Sequence, residues 1–315
     1  MPKNYKIYQR DTPQPNRESS EKGIEGALLE RERKKYLLDV RGLVRRKKNW
    51  RNNKMEFETV IYEVDSKIAT ITLNRPDSLN AFNGQMVLDL KAATDAAAED
   101  DSIRCVILTG KGKGFSAGAD LKDQITVSQD SNLVERGLLE GYKPIFMNII
   151  NMPKPVISAV NGPAAGMGSS FAMACDLTLM SEEAYLMSVF SNIGLVPDGG
   201  ANWLLTNTIG YKLAYQIAIE GEKIPASRCL ELGLTNKVVP SEELLSEAKA
   251  WATRLAQRSP QALSQTKKIM RMALDSTYEE IFSTEAKVQN RLVGSPDNKE
   301  AVTAFLEKRP PKFQD

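Results

Sequence analysis

Two glycine-rich stretches hold the groups in this chain best suited to chemistry on a carbonyl. The first, Gly112 to Asp123, reads GKGFSAGADLKD and follows the apolar run Cys105–Thr109. The second, Asn161 to Gly168, reads NGPAAGMG and follows PVISAV, which ends at Val160. After it comes SSFAMA, the opening turns of a helix. A backbone N–H at a helix start has no intrahelical partner and points outward. It can hold a negative oxygen, and the helix dipole adds to the attraction. Two strand-to-turn units of this kind could grip one developing oxyanion from two sides.

The side chains available for proton transfer are limited. The chain has 315 residues and no histidine. Ser-His-Asp and Cys-His nucleophile systems are excluded, as is a His-ligated zinc or iron site. An acid or base must be Asp, Glu, Lys, Tyr or Cys. Cys105, Cys175 and Cys229 are far apart in apolar surroundings and read as small core residues. They suggest neither a disulfide nor a metal framework, and a reducing cytoplasm fits them.

The elements that must position these groups can be read in order. Residues 1–54 carry sixteen Lys or Arg against seven Asp or Glu, a net of +9, and the remainder sums to −7. This extension reads as a disordered basic arm, with a possible helix over Ile24–Val44. It lacks the apolar stretch of a secretory signal. Its basic run Arg45–Lys48 could bind nucleic acid, but aromatic side chains to stack bases are few, so no nucleic-acid partner is expected. TVIYEV and KIATITL alternate as a hairpin about Asp65–Ser66. Gly84–Glu99 reads as an amphipathic helix. Pro155 to Cys175 contains 21 residues without a charge, long enough for a membrane span. Its asparagine, prolines, glycines and serines argue instead for strand, turn and helix. Further strands are expected at Asp176–Met180 and Tyr185–Val189, then a turn-rich loop, FSNIGLVPDGGANWLL. Helices follow at Gly210–Glu220, Ser241–Gln257, Pro260–Leu274, Thr277–Val293 and Pro296–Lys308. The pattern is an α/β core of repeated strand-strand-helix units with a helical C-terminal part.

LNRPDSLNAF, GFSAGADL, KPVISAVNGPAAGMG, CDLTLMSEEA, GLVPDGG and AFLEKRPPKF stand in one order between Glu56 and the C-terminus. In that order they resemble the crotonase superfamily, the enoyl-CoA hydratase and isomerase family. The resemblance implies a crotonase-like spiral of ββα units over residues 55–258. It implies a helical trimerisation region over 259–315, with trimers often paired into hexamers. It also implies an acyl-CoA substrate, with coenzyme A as part of that substrate and no separate cofactor or metal. The oxyanion donors it implies are the backbone N–H groups of Ala119 and Met167. Ala81, Ala117, Ala119 and Leu121 would line the path of the coenzyme, with Phe305 and Lys308 reaching it from the tail. Asp120 reads as a helix cap rather than a chemical group.

The same resemblance bears on the reaction. The family's hydratases use two glutamates, and the matching positions here are Ser170 and Phe190, neither of which can act as a base. What remains is Asp198 in GLVPDGG, matching the acid that serves as proton shuttle in the family's double-bond isomerases. Near Phe190, Val196 and Trp203 its carboxylate would be poorly solvated and hence more basic. Glu140 and Tyr142 are weaker candidates, in a segment 124–143 expected to flank the acyl pocket. The expected activity is isomerisation of an unsaturated acyl-CoA. The alternatives are hydration or another crotonase reaction on a bulkier thioester, and a noncatalytic acyl-CoA or nucleic-acid binding protein.

Overall fold

The computed structural model describes residues 56–121 and 132–313. The basic extension 1–54 lies outside the described residues, as does the stretch 122–131 within the segment expected to flank the acyl pocket. The first hairpin forms where the alternation places it. Strand β1 (Val60–Asp65) pairs antiparallel with β2 (Ile68–Leu73). Ser66 and Lys67 take left-handed backbone angles, φ 52° and 68°, in the two-residue turn. Helix α1 (Gly84–Glu99) begins at Asn83, whose side chain accepts the Met86 N–H at 2.9 Å.

Strands β3 (Cys105–Gly110) and β4 (Val156–Val160) continue the sheet in parallel with β2. The short β5 (Ala164–Ala165) begins a second sheet, while β6 (Leu177–Ser181) pairs with β4. Strand β7 (Tyr185–Met187) joins β5, and β8 (Lys223–Pro225) joins β7. Strand β9 (Lys237–Val239) closes the larger sheet, whose order is β1-β2-β3-β4-β6-β9. Two-faced burial explains why β3 and β4 read as continuous apolar runs. Val106, Leu108, Val156 and Val160 face a core shared with Leu90 and Ala93 of α1. Cys105, Ile107, Ile157 and Ala159 face the other way, onto Leu244, Ala248 and Ala252.

Of the remaining helices, the one running into Leu205, that over Gly210–Glu220 and the four C-terminal ones stand close to their expected places, while those over residues 133–151 and at Ala226–Glu231 were not expected. In chain order these helices begin with α2 (Leu133–Arg136), which runs through a π-helical turn, Gly137–Tyr142, into α3 (Lys143–Asn151). Then come α4 (Met167–Ala174), α5 (Ala201–Ile209), α6 (Tyr211–Glu220) and α7 (Ala226–Glu231). The chain closes with α8 (Leu244–Ala256), α9 (Pro260–Met272), α10 (Tyr278–Leu292) and α11 (Pro296–Leu306). The uncharged stretch from Pro155 is strand, turn and helix, and no helix among the described residues is long and apolar enough to cross a membrane. Two sequence expectations shift. The helix after the second glycine turn starts at Met167 rather than Ser169, because Gly166 at φ 52° turns the chain into the helix earlier. The strand expected over Tyr185–Val189 stops at Met187, where the pairing with β8 ends.

One ion cluster fastens the helical C-terminal part to the sheet. Asp176, at the end of α4, lies 2.7 Å from the Lys267 ammonium and 3.1 Å from the Arg271 guanidinium, both on α9. It also accepts the Val156 N–H at 2.9 Å, and Lys267 donates to the carbonyls of Ile149 and Lys154. Burial pushes the Lys267 pKa down, and Asp176 opposes that push. Breaking such a cluster from one side leaves a buried charge uncompensated. Asp176→Ala is therefore expected to lower stability by about 3–5 kcal/mol in urea denaturation.

Candidate functional site

The first glycine turn is built by the loop that follows β2. Leu79 and Asn80 both adopt the left-handed region, φ 47° and 55°. A leucine there costs about 1–2 kcal/mol, so the surrounding contacts must hold it. Asn80 supplies them and is fully buried. Its side chain accepts the Arg75 N–H at 2.8 Å and donates to the carbonyls of Lys111 and Gly114. Its carbonyl accepts the Ser116 hydroxyl at 2.8 Å, and the Leu79 carbonyl accepts the Ala117 N–H at 2.9 Å. Asn161 acts likewise from the second turn, accepting the Gly110 N–H and donating to the carbonyls of Gly112 and Gly114.

These bonds fix the Ala119 peptide. The Phe82 N–H donates to the Gly118 carbonyl at 2.8 Å, and the Asp120 N–H donates to the Phe82 carbonyl at 2.9 Å. Ala119 sits between those two contacts, in a parallel bridge with Phe82. Its own N–H therefore points to the opposite side, where it has no acceptor among the described residues. In the second turn, the Gly166 N–H donates to the Met187 carbonyl at 2.9 Å. Met167 follows as the first residue of α4, and its N–H is likewise without an acceptor among the described residues.

The two turns touch backbone to backbone. A Cβ added at Gly118, which has φ +92°, would lie 2.8 Å from the Ala165 carbonyl oxygen and 3.4 Å from the Met167 nitrogen. A Cβ at Gly168 would lie 2.5 Å from the Ser116 carbonyl oxygen. The Ala165 N–H donates to that same oxygen at 2.9 Å. Glycine is thus required at both positions by close approach, and the Met167 nitrogen is brought beside the peptide that joins Gly118 to Ala119.

Asp198 follows Pro197 on the loop before α5. One of its carboxylate oxygens, Oδ1, is buried without a hydrogen-bond partner among the described residues. Burial pushes its carboxyl from the ordinary 3.8 up to about 6, against a smaller pull from its own backbone N–H. The apolar surroundings differ in part from those expected. Phe190 is buried, but Val196 is 77% and Trp203 39% exposed. The neighbouring Gly199 instead packs against Met167, Phe146 and Ser170, where an added Cβ would come within 2.8, 2.8 and 2.9 Å. Phe146 stacks on Phe171 at 4.1 Å, and Phe171 packs on Phe82 at 5.0 Å, so an aromatic wall runs from the Asp198 loop to the Ala119 bridge.

The other expected residues are dispersed. Ala81 is buried, Ala117 and Ala119 are half-buried, and Leu121 is half exposed beside the first turn. Phe305 is 81% exposed on α11, and Lys308 lies just past that helix with φ 55°. The Asp120 carboxylate pairs with the Arg75 guanidinium at 2.9 Å, and Arg75 also donates to the Ala81 carbonyl. The helix that Asp120 was expected to cap falls on residues outside the described set. Glu140 and Tyr142 lie in the π-helical turn, and Tyr142 packs edge-on to Phe82 at 6.0 Å. All three cysteines are buried and unpaired, and burial pushes each thiol up to about 12. Among the described residues no group of His, Cys, Asp and Glu could hold a metal ion. Sequence reasoning set Asn80 only within the stretch Ser78 to Ala81 along the coenzyme path and missed its bracing role and those of Asn161 and Arg75, whose signal was a polar side chain capable of several bonds beside a tight turn.

Known proteins resemble this chain over most of its length. The enoyl-CoA hydratase/isomerase family model matches residues 63–315. A probable enoyl-CoA hydratase of Rhodobacter capsulatus is 38% identical over 82% of this chain and 99% of its own length. The 1,2-epoxyphenylacetyl-CoA isomerase of Escherichia coli is 36% identical over 82% of this chain and 98% of its own. The crystal structure of an enoyl-CoA hydratase from Polaromonas sp. JS666 superimposes with a TM-score of 0.78 at 33% identity, covering 81% of this chain and 99% of that one. The chain belongs to the enoyl-CoA hydratase/isomerase family, with the crotonase fold.

The raised carboxyl of Asp198 has a consequence for stability. Between about 4 and about 6 the unfolded chain has released this proton while the folded protein keeps it, so the folded state binds more protons. Stability therefore falls across that window as pH rises, and the cost of the buried charge is fully present above about 6. Asp198→Asn is expected to be more stable than the parent above that pH, by about 1–2 kcal/mol after discounting for residual solvent contact. Below the window the two should be equal, and urea denaturation on either side checks it.

Proposed function

We propose that this enzyme of the enoyl-CoA hydratase/isomerase family moves the double bond of an unsaturated acyl-CoA, with Asp198 as the proton shuttle. The observation that carries the reading is the half-buried carboxylate on the loop packed against α4, one oxygen of which is buried without a partner among the described residues. Its unpartnered oxygen and raised pKa suit a base near neutral pH. Ser170 and Phe190, which stand where the family's hydratases carry glutamates, offer no second carboxylate to activate water.

Asp198 takes a proton from the α-carbon of a 3-enoyl thioester. The electron pair of that C–H bond delocalises into a dienolate, whose oxygen accepts the N–H groups of Ala119 and Met167. The same carboxyl then returns its proton to the γ-carbon, leaving the 2-enoyl thioester with no atom gained or lost. The two N–H groups are fixed before substrate arrives, so stabilising the charge requires no rearrangement at the moment of reaction. Ala81, Ala117, Ala119 and Leu121 border the first turn and would contact the coenzyme, with Phe305 and Lys308 serving from the tail. A homo-oligomer, a trimer or a dimer of trimers, is supported by the exposed apolar side chains Met270, Phe282, Phe305 and Leu306 on the C-terminal helices.

Purified protein given 3-enoyl-CoA is expected to yield 2-enoyl-CoA without added mass, followed by ultraviolet absorbance and mass spectrometry. Asp198→Asn should lose at least about a hundredfold in kcat. In the parent, kcat/KM should rise with pH through about 6, because the shuttle must begin ionised. Gain of water's mass, or a variant as active as the parent, would overturn the reading. Gly168→Ala should separately lower kcat by about a hundredfold or more, by forcing α4 away from Ser116.

A further inference from the structure

The loop bearing Asp198 is hydrogen-bonded to the helix bearing the Met167 N–H through a buried side chain. Ser170 lies a turn into α4 and is fully buried. Its hydroxyl is 3.0 Å from the Asp198 carbonyl oxygen and 3.4 Å from the Gly166 carbonyl oxygen. A hydroxyl has one proton, and the shorter contact takes it. The Asp198 carbonyl also accepts the Ala201 N–H at 3.1 Å, but that bond is internal to the loop and the start of α5. On the other side, the Asn202 side chain donates to the Pro197 carbonyl at 2.8 Å, again within the loop. Among the described residues, the Ser170 bond is the hydrogen bond that crosses from the loop to α4. Its Cβ also forms part of the surface on which Gly199 rests.

We propose that Ser170 is a positioning residue that sets the Asp198 carboxylate against the oxyanion donors. The proposal rests on the reading of Asp198 as the shuttle. The Ala119 and Met167 N–H groups fix where the enolate oxygen must sit, and Ser170, three residues past Met167, rides on the same helical turn as the second of them. The distance between oxyanion and base is therefore set by one short rigid path: Met167 to Ser170 along the helix, then one hydrogen bond to Asp198. Without the hydroxyl, the loop keeps its internal bonds and the packing of Gly199 on α4 but loses the directional bond that sets Asp198 in register with that helix. The acid then samples positions away from the substrate carbon, while the oxyanion turns and the coenzyme path keep their own bonds.

The test compares Ser170→Ala and the near-isosteric Ser170→Cys with the parent and with Asp198→Asn, using 3-enoyl-CoA. Ser170→Ala is expected to lower kcat about fivefold to tenfold, the worth of one ordinary hydrogen bond, with KM unchanged. Its acidic limb should move below about 6, because a loosened loop admits water to the carboxyl. Ser170→Cys, with a weak donor, should fall between the two. Adding Ser170→Ala to Asp198→Asn should cost nothing further in kcat, since a residue that acts through Asp198 has no effect once that carboxyl is gone. If Asp198→Asn turns over normally, the shuttle reading has failed and Ser170 with it. If Asp198→Asn is inactive while Ser170→Ala keeps the parent's kcat and acidic limb, the positioning role alone is overturned. A melting temperature lowered without either kinetic change would likewise leave Ser170 structural. Should Ser170→Ala fail to fold, the kcat and acidic limb of Ser170→Cys decide by the same criteria.

Discussion

The contact of two backbones constrains the rest of this structure. The turn after β3 and the turn after β4 approach so closely that neither tolerates a Cβ at the point of contact. Gly118 meets the Ala165 carbonyl and the Met167 nitrogen, and Gly168 meets the Ser116 carbonyl. Such proximity is possible because β3 and β4 are adjacent and parallel, so both chains leave the same edge of the sheet. It persists because Asn80 and Asn161 satisfy the polar groups that the tight turns would otherwise leave unpaired. Sheet order, glycine placement and asparagine bonds thus act together to leave the N–H groups of Ala119 and Met167 without acceptors among the described residues, on turns in contact.

The acid loop depends on the same contact at one remove. Gly199 rests on Met167, Phe146 and Ser170, so the position of α4 fixes the position of Asp198. Burial that orders the loop also desolvates its carboxyl, and this raises the proton affinity of a potential base. The energetic cost of that desolvation is offset by the aromatic packing beside it, where Phe146 stacks on Phe171. Under the proposed function, catalysis and instability are coupled at this position, as is common where a charge is held for chemistry rather than for folding.

The C-terminal helices are attached by different means. Asp176 reaches Lys267 and Arg271 of α9, and Lys267 reaches carbonyls at the end of α3 and just beyond it. These bonds are directional and few, whereas α8 is held by an apolar face against the sheet. The later helices keep many large apolar side chains in the open, among them Tyr278, Phe282, Phe305 and Leu306. Helix periodicity alone announced these helices, but it could not say which face would meet the sheet and which would stay exposed.

Much of the molecule was legible from the chain itself. The bounds of α1, the hairpin, the buried parallel strands and the two glycine turns follow from local rules of pattern and backbone freedom. The burial of the three cysteines was read correctly from their apolar neighbours. What sequence could not supply was convergence. The neighbours of Asp198 were expected nearby in sequence, at Val196 and Trp203, yet these face outward and the packing against its loop comes from Phe146, Met167 and Ser170. Arg75 and Asp120 lie 45 positions apart and form an ion pair that no local pattern announces. Periodicity and turn chemistry act over a few residues, so they determine elements. The order of strands in the sheet determines which elements meet, and only that meeting decides which N–H groups are left free and which carboxylate loses its water.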